Sequence, residues 1–139
     1  MTSHIETTRT GAVQKIRFNR PEKKNAITNQ MYHDLAAAIE TGEADDDVSV
    51  HLLLGHPGAF TAGNDVGDFL TIAQSGSLSG SGVERYLKLQ PEIDKPVIAA
   101  VDGLAVGIGT TLLFHCDMVF ATPESRFITP FVDLGLVAE

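Results

Sequence analysis

Residues 96–109 of this 139-residue chain read Pro-Val-Ile-Ala-Ala-Val-Asp-Gly-Leu-Ala-Val-Gly-Ile-Gly, and this stretch decides the fold. Pro96–Val101 is an almost uninterrupted apolar run, which is typical of a strand buried on both faces of a sheet. Three glycines punctuate the turn that follows, and Thr110–His115 is predicted to continue as an apolar helix. A buried strand, a glycine-bearing turn and a helix in succession indicate α/β layering.

Strands and helices alternate along the rest of the chain as well. Ile5–Thr10 and Ala12–Asn19 are rich in β-branched residues and are predicted to be strands. Thr28 is a plausible N-terminal cap for a helix that ends near Gly42. Further strands are predicted at Val48–Leu54, Asp117–Ala121 and Arg126–Pro130, and further helices at Val66–Ala73 and Val83–Ile93. Functional residues are therefore expected in the loops that join strands to helices.

The composition narrows the class of protein. A formal net charge of −8 makes nucleic acid and anionic lipid poor electrostatic partners. The single cysteine, Cys116, excludes an internal disulfide framework, and no His, Asp or Glu set has metal-ligand spacing. No apolar stretch reaches membrane-spanning length and the N-terminus has no signal pattern. We expect a soluble, cytoplasmic protein with no nucleic-acid or membrane partner.

Two glycine-bearing turns, Phe60–Asp65 and Gly103–Gly109, follow two of the best buried-type strands. Glycine lets a ligand approach the backbone closely, and the first N–H groups of a helix have no intrahelical partner. Two such amides from separate loops, aimed at one point, would hold an oxyanion. The alternative is that both turns only permit close packing. Neither nucleotide-binding fingerprint fits, because the G-x-G-x-x-G order and the phosphate-loop lysine are absent.

Four segments of the chain resemble, in order and separation, the successive signatures of the enoyl-CoA hydratase/isomerase (crotonase) family. These segments are Asn19–Ile27, Phe60–Val66, Lys95–Gly103 and Cys116–Ala121. The resemblance implies an α/β fold, a crotonase-like spiral of strand–strand–helix units, with residues 1–139 as the N-terminal part of a single domain. It also implies that the family's C-terminal helical part is absent from this chain, and that the full-length protein is a homo-oligomer, a trimer or hexamer.

The same resemblance implies an acyl-CoA substrate, with coenzyme A as part of the substrate and no separate cofactor. The thioester oxygen is expected between the backbone N–H groups of Asn64 and Ile108, which would stabilise an enolate. The expected lining of the coenzyme A channel is Lys24, Asn25, Ala26, Ala59, Ala62 and Asp65. Within that set, Lys24 is a possible phosphate contact or a solvated loop lysine. Asp65 is a possible binding residue or a helix cap.

The acid–base residues decide which reaction is expected. Hydratases of this family use two glutamates, at positions that match Thr111 and Phe131 here, so both carboxylates are missing. Leu134–Glu139 resembles the segment of peroxisomal-type Δ3,Δ2-enoyl-CoA isomerases that carries their single catalytic glutamate. We therefore predict an enoyl-CoA isomerase with Glu139 as the base. A hydratase or other enolate enzyme using Asp133, and an inactive acyl-CoA-binding or assembly module, are the alternatives.

The remaining reactive side chains are expected to be structural. His51 alternates with leucines on a strand and is interpreted as a surface or hydrogen-bonded strand histidine. His56 is interpreted as a solvated loop residue. Cys116 is expected to be a small core residue, and Asp117 a cap or structural hydrogen-bonding group.

Overall fold

The computed structural model describes residues 3–135 and Val137. Its strands are β1 (Ile5–Thr10), β2 (Val13–Phe18), β3 (Val50–Leu54), β4 (Ala59–Thr61), β5 (Val97–Val101), β6 (Leu104–Val106), β7 (Met118–Ala121) and β8 (Arg126–Ile128). Its α-helices are α1 (Asn29–Glu43), α2 (Val66–Ser75), α3 (Gly82–Leu89) and α4 (Ile108–Thr111). Single 3-10 turns occupy Pro21–Lys23, Gln90–Glu92 and Leu112–His115.

The strands form two sheets, and the chain crosses between them repeatedly. One sheet has the order β1-β2-β3-β5-β7 and the other β4-β6-β8. Each consecutive pair, β3–β4, β5–β6 and β7–β8, gives one strand to each sheet, and successive pairs lie parallel. Helices follow the first two pairs, so the chain winds as a spiral of strand–strand–helix units. The predicted fold class is confirmed.

The core lies between the larger sheet and the helices. Met31, Leu35 and Ile39 on α1 are at most 1% exposed, and their spacing of four residues places them on one helical face. Phe18 at the end of β2 packs edge-on against Phe60 of β4, with ring centroids 5.4 Å apart. This contact ties the two sheets together immediately beside the first glycine-bearing turn.

Two helix predictions are wrong in detail. The helix expected at Thr110–His115 begins at Ile108, and only one α-helical turn forms before the backbone tightens into a 3-10 turn. Gly109 lets this helical turn pack closely against β4, because a Cβ atom there would lie 2.6 Å from Thr61 Cγ2. The helix expected at Val83–Ile93 ends at Leu89, and the 3-10 turn that follows contains Pro91, which has no N–H for a helical hydrogen bond.

Candidate active site

The Asn25 side chain supports the first turn through hydrogen bonds to β4, which is distant in the sequence. Its side chain is fully buried, and Nδ2 donates to the carbonyls of Ala59 (2.9 Å) and Phe60 (3.1 Å). Its Oδ1 accepts from the Arg20 N–H at 2.9 Å, and the Thr61 hydroxyl donates to its carbonyl at 2.6 Å. Asn25 has a φ of 58°, a left-handed conformation that asparagine tolerates better than most residues. The loop before α1 is thereby fastened to β4.

The residues expected to line the coenzyme A channel lie together at this junction. The Ala62 N–H donates to the Lys24 carbonyl at 2.9 Å, and the Ala26 carbonyl accepts from Arg20 Nη1 at 3.0 Å. Lys24 is exposed, whereas Ala59 is buried. The structure therefore brings the predicted channel segments, around Asn25 and around Ala59–Ala62, into direct contact. Their contact with coenzyme A stays a prediction.

Asn64 sits in a short parallel bridge with Ile27. The Ile27 N–H donates to the Gly63 carbonyl and the Asp65 N–H donates to the Ile27 carbonyl, both at 2.8 Å. In a parallel pairing of this kind, the residue between the two bonds directs its own N–H and C=O to the opposite side. The Asn64 side chain is held as well, because the Tyr32 hydroxyl on α1 donates to its Oδ1.

The second turn presents Ile108 at the start of α4. The Gly107 N–H donates to the Ile128 carbonyl at 2.8 Å, which anchors the turn to β8. Ile108 is the first helical residue, so its N–H belongs to the group that helix geometry leaves without an intrahelical acceptor.

Gly63 brings the two turns into backbone contact. It has a φ of +90°, and a Cβ atom there would lie 2.7 Å from the Val106 carbonyl oxygen. No side chain therefore separates the first turn from the second at this point. Such a close approach requires glycine, both for its left-handed conformation and for its missing side chain.

Asn64 and Ile108 line the same cavity, which we call the turn cavity. Its volume is about 200 Å³. The described residues that line it are Ala62, Gly63, Asn64, Val66, Phe69, Val106, Gly107, Ile108, Pro130, Phe131 and Leu134. None of these has a titratable side chain, so the described lining supplies no group that could transfer a proton. That the two N–H groups converge on one oxygen atom stays a prediction.

The three described residues at the expected acid–base positions lie in different places. Phe131 lines the turn cavity, whereas Thr111 is buried and its hydroxyl donates to the Ile108 carbonyl at 3.5 Å. Asp133 is exposed and is not part of the turn cavity's lining. Glu139, the predicted base, lies outside the described residues.

Asp65 caps α2 and pairs with Arg20. Its Oδ1 accepts from the N–H groups of Gly67 (3.0 Å) and Asp68 (3.3 Å), and its Oδ2 lies 2.7 Å from Arg20 Nη1. The hydrogen bond from the Arg20 guanidinium is the main reason why the pKa of the Asp65 carboxyl lies below its ordinary value. Both oxygens are thus engaged within the chain, and a role in binding coenzyme A stays a prediction.

The other reactive side chains are held in structural contacts. His56 Nε2 lies 2.9 Å from Asn19 Oδ1, and the Asp117 carboxylate accepts from the Val97 N–H at 2.7 Å. Burial, with a smaller contribution from Asp117, raises the pKa of the Cys116 thiol to about 11. A thiol of this kind stays protonated near neutral pH and is a poor nucleophile.

His51 is completely buried rather than at the surface, and both ring nitrogens face oxygens. Nδ1 lies 2.6 Å from Gln14 Oε1, and Nε2 lies 2.7 Å from Glu43 Oε1. The hydrogen-bonded alternative of the two sequence interpretations is therefore the observed one. Gly42 permits this cluster, since a Cβ atom there would lie 2.1 Å from Gln14 Oε1.

The described residues form neither a metal site nor a membrane-spanning helix. Within the described part of the chain, no group of three or more His, Cys, Asp or Glu residues is arranged to hold a metal ion. No helix among the same residues is long and apolar enough to cross a bilayer.

Sequence reasoning missed the side chains that hold the first turn. Asn25 was predicted as a channel residue, but its buried side chain also joins two segments that lie 34 residues apart. Tyr32 lies in a predicted helix, but the sequence predicts no role for its side chain. Only the asparagine carried a signal, since it is the residue type that both tolerates positive φ and offers a donor and an acceptor.

Comparisons with known proteins agree with this fold. The Enoyl-CoA hydratase/isomerase family model matches residues 8–139. Rat enoyl-CoA delta isomerase 2 is 38% identical, over 94% of this chain and 34% of its own length. The Escherichia coli 1,2-epoxyphenylacetyl-CoA isomerase is 34% identical, over 99% of this chain and 53% of its own length.

Solved structures match the chain over nearly its full length. Pseudomonas aeruginosa OdaA is 46% identical with a TM-score of 0.92, over 99% of this chain and 55% of that one. An enoyl-CoA hydratase/isomerase from Pseudoalteromonas atlantica is 38% identical with a TM-score of 0.89, over 99% and 53%. The chain thus spans about a third to about half of the relatives it matches. It belongs to the enoyl-CoA hydratase/isomerase family.

Proposed function

We propose that the protein containing this chain is an acyl-CoA enzyme that stabilises a thioester enolate and moves a double bond from C3 to C2. The observation that carries this proposal is the placement of Asn64 and Ile108 on one cavity, on turns brought together by Gly63. Two backbone N–H groups directed at the thioester oxygen stabilise the enolate more than the neutral carbonyl, because charge develops on that oxygen. Removing one such donor typically slows catalysis by about 10²–10³.

The reaction needs one base and no other reagent. The base removes a proton from C2 of a 3-enoyl thioester, and the electron pair of that C–H bond forms the enolate. When the enolate collapses, the C2–C3 double bond forms, the C3–C4 pair takes the proton at C4, and the base is regenerated. No water is consumed and no electron is gained or lost, so a single carboxylate is sufficient.

Two observations favour this double-bond shift over hydration. By the family resemblance, Thr111 and Phe131 match the positions of the two hydratase glutamates, so neither carboxylate is present. Enoyl-CoA delta isomerases from rat and human are each 38% identical to this chain. A hydratase is also among the relatives, since the Escherichia coli 2,3-dehydroadipyl-CoA hydratase is 31% identical. We assign Glu139 as the base.

The rest of the site follows from the same proposal. The contacting segments around Lys24–Ala26 and Ala59–Ala62 border the coenzyme A part of the substrate, with Asp65 supporting the first turn at its edge. The full-length protein is proposed to be a homotrimer or a dimer of trimers.

The test uses protein expressed from the complete reading frame and a 3-enoyl-CoA substrate. Formation of the conjugated 2-enoyl thioester is followed by its ultraviolet absorbance. We expect the change Glu139→Gln to lower kcat by about 10²–10⁴, the usual contribution of a general base. The matched variant Asp133→Asn removes a nearby exposed carboxylate and should change kcat by less than about twofold.

Other outcomes identify the alternatives. Water addition to a 2-enoyl-CoA that is lost with Asp133→Asn would replace the proposal with a hydratase. Tight acyl-CoA binding with no turnover of either substrate would replace it with a binding or assembly module.

A further inference from the structure

A second cavity, larger than the turn cavity, lies between the first three helices. We call it the helix cavity; its volume is about 330 Å³, at the lower end of the range of about 300–1,000 Å³ typical of ligand pockets. Its apolar walls come from several different parts of the chain. They include Ile27 before α1, Phe69 on α2, Leu78 in the following loop, and Val83 and Leu87 on α3.

The helix cavity adjoins the turn cavity at two residues. Asn64 and Phe69 line both cavities. A ligand group held at Asn64 in the turn cavity would therefore lie beside the helix cavity. For a thioester whose oxygen lies at the Asn64 amide, the substituent that leaves the carbonyl carbon in this direction is the acyl chain or the pantetheine arm.

The charges on the walls of the helix cavity have one sign. Two acidic residues, Asp65 and Asp68, line it, and no lysine, arginine or histidine is among its described lining residues. Asp65 is paired with Arg20 at 2.7 Å. Asp68 accepts a hydrogen bond from the Asn29 N–H at 2.6 Å, and no cationic side chain of the described chain lies within ion-pair distance of it.

An acidic wall without a cation discriminates between acyl groups. A carboxylate at the far end of an acyl chain would lose water in this cavity without gaining a positive partner, and it would be repelled by Asp68. An alkyl end would lose only unfavourable contact with water. Each buried methylene is worth about fourfold in affinity, from about 0.8 kcal/mol per CH₂ and tenfold per 1.4 kcal/mol.

Resting on the acyl-CoA function proposed above, with the acyl chain in the helix cavity, we propose that Asp68 is a specificity-determining residue. It makes the protein selective for uncharged, apolar acyl groups over acyl groups that end in a carboxylate. It excludes the charged chain end by repulsion and by the absence of a compensating cation.

The first experiment measures binding without chemistry. Saturated acyl-CoAs cannot isomerise, so their Kd reports on the cavity whether or not the proposed reaction occurs. For a matched pair with equal carbon number, we expect the alkyl thioester to bind at least about 100-fold more tightly than the ω-carboxyl thioester, the size expected for an unpaired buried charge. Equal Kd values would overturn this inference and leave the proposed isomerase untouched. Absence of turnover with the Kd ratio as expected would overturn the proposed isomerase and leave this inference intact.

A matched pair of variants assigns the selectivity to Asp68. Asp68→Asn keeps an oxygen to accept from the Asn29 N–H and removes the negative charge. We expect the Kd for the ω-carboxyl thioester to fall at least about fivefold and the Kd for the alkyl thioester to change less than about twofold. The control Asp46→Asn makes the same change in net charge at an exposed position between α1 and β3. If Asp46→Asn shifts the ratio as much as Asp68→Asn, or if neither shifts it, the role of Asp68 is wrong.

Discussion

The two turns that border the turn cavity are held by different means. The first turn, at Phe60–Asp65, has backbone hydrogen bonds to Lys24 and Ile27, and side chains from other elements support it as well. Asn25 reaches β4 from the preceding loop, Tyr32 reaches Asn64 from α1, and Arg20 reaches Asp65. The second turn, at Gly103–Gly109, is held mostly by backbone contacts. Its Gly103 would place a Cβ atom 2.1 Å from the Gly58 carbonyl carbon, and its Gly107 N–H bonds to Ile128.

Side-chain contacts and backbone contacts are expected to respond differently to substitution. Side-chain supports can be altered one hydrogen bond at a time, whereas a backbone-to-backbone contact leaves no room for any side chain. We therefore expect changes at the contact between the turns to have the largest effects. Changes in the supports of the first turn should come next, and changes in the few side-chain bonds of the second turn last.

Gly63→Ala is expected to have the largest effect. The added Cβ atom would lie 2.7 Å from the Val106 carbonyl oxygen and would also force alanine into a φ of +90°. We expect a loss of about 3 kcal/mol in the free energy of unfolding. Because the turns must separate, kcat should fall at least about 100-fold, as for loss of an oxyanion-hole donor. Urea denaturation and turnover of a 3-enoyl-CoA by the full-length protein measure the two effects.

Gly58→Ala is the matched control for this change. Gly58 has nearly the same φ, +88°, but an added Cβ atom there meets nothing within 4 Å. Only the conformational strain should remain, about 1 kcal/mol, with kcat changed less than about threefold. Similar results for Gly63→Ala and Gly58→Ala would mean that the contact between the turns does not matter for stability or catalysis.

Asn25→Ala is expected to rank second. The change removes two hydrogen bonds to the carbonyls of Ala59 and Phe60 and leaves the partly buried Arg20 N–H without its acceptor. We expect a loss of about 2–3 kcal/mol, since an unsatisfied buried group costs about 1–3 kcal/mol. Gln30→Ala, which removes an exposed side-chain hydrogen bond on α1, should cost less than about 0.5 kcal/mol. A cost for Asn25→Ala no greater than this control would contradict its role as the support of the first turn.

The same contrast explains what could be predicted from the sequence. The second turn was recognisable because its determinants are local: a buried apolar strand and glycines at fixed spacing. The supports of the first turn were not, because the partners of Asn25 and Tyr32 lie more than 30 residues away along the chain. The buried cluster of Gln14, Glu43 and His51 was missed for the same reason. It joins three elements, and the alternation of polar and apolar residues along a strand does not show that His51 has polar partners in the core.

The Glu43 carboxylate, which does not line the turn cavity, is expected to affect stability and not catalysis. Burial pushes its pKa up, but hydrogen bonds from His51 and from the N–H groups of Asp94 and Lys95 outweigh burial, so the pKa lies below its ordinary value of 4.5. A lowered pKa stabilises the folded state above about pH 4.5, and this contribution is lost as pH falls through the lower, folded-state value. We expect Glu43→Gln to cost about 2 kcal/mol at pH 7, to cost less below about pH 4, and to leave kcat within about twofold.

The measurement for Glu43 is urea denaturation across this pH range, for wild type and variant. The exposed Glu92→Gln provides the control, and its small effect should not vary with pH. A cost for Glu43→Gln that stays constant down to pH 3 would show that the ionised carboxylate is not the stabilising form.

Thr110→Val is expected to have the smallest effect, and it tests the description of the second turn. The buried Thr110 hydroxyl donates to the Ala105 carbonyl at 2.7 Å, and valine keeps the shape of the side chain while removing that bond. Because the backbone contacts of Gly63, Gly103 and Gly107 remain, we expect a cost of about 1 kcal/mol and little change in kcat. Thr41→Val, which removes an exposed helical hydroxyl bond to Ala37, is the matched control and should cost less than about 0.5 kcal/mol. A cost for Thr110→Val as large as that of Asn25→Ala would mean that the second turn also depends on its side chains, and the ranking of the two turns would then rest on Gly63 alone.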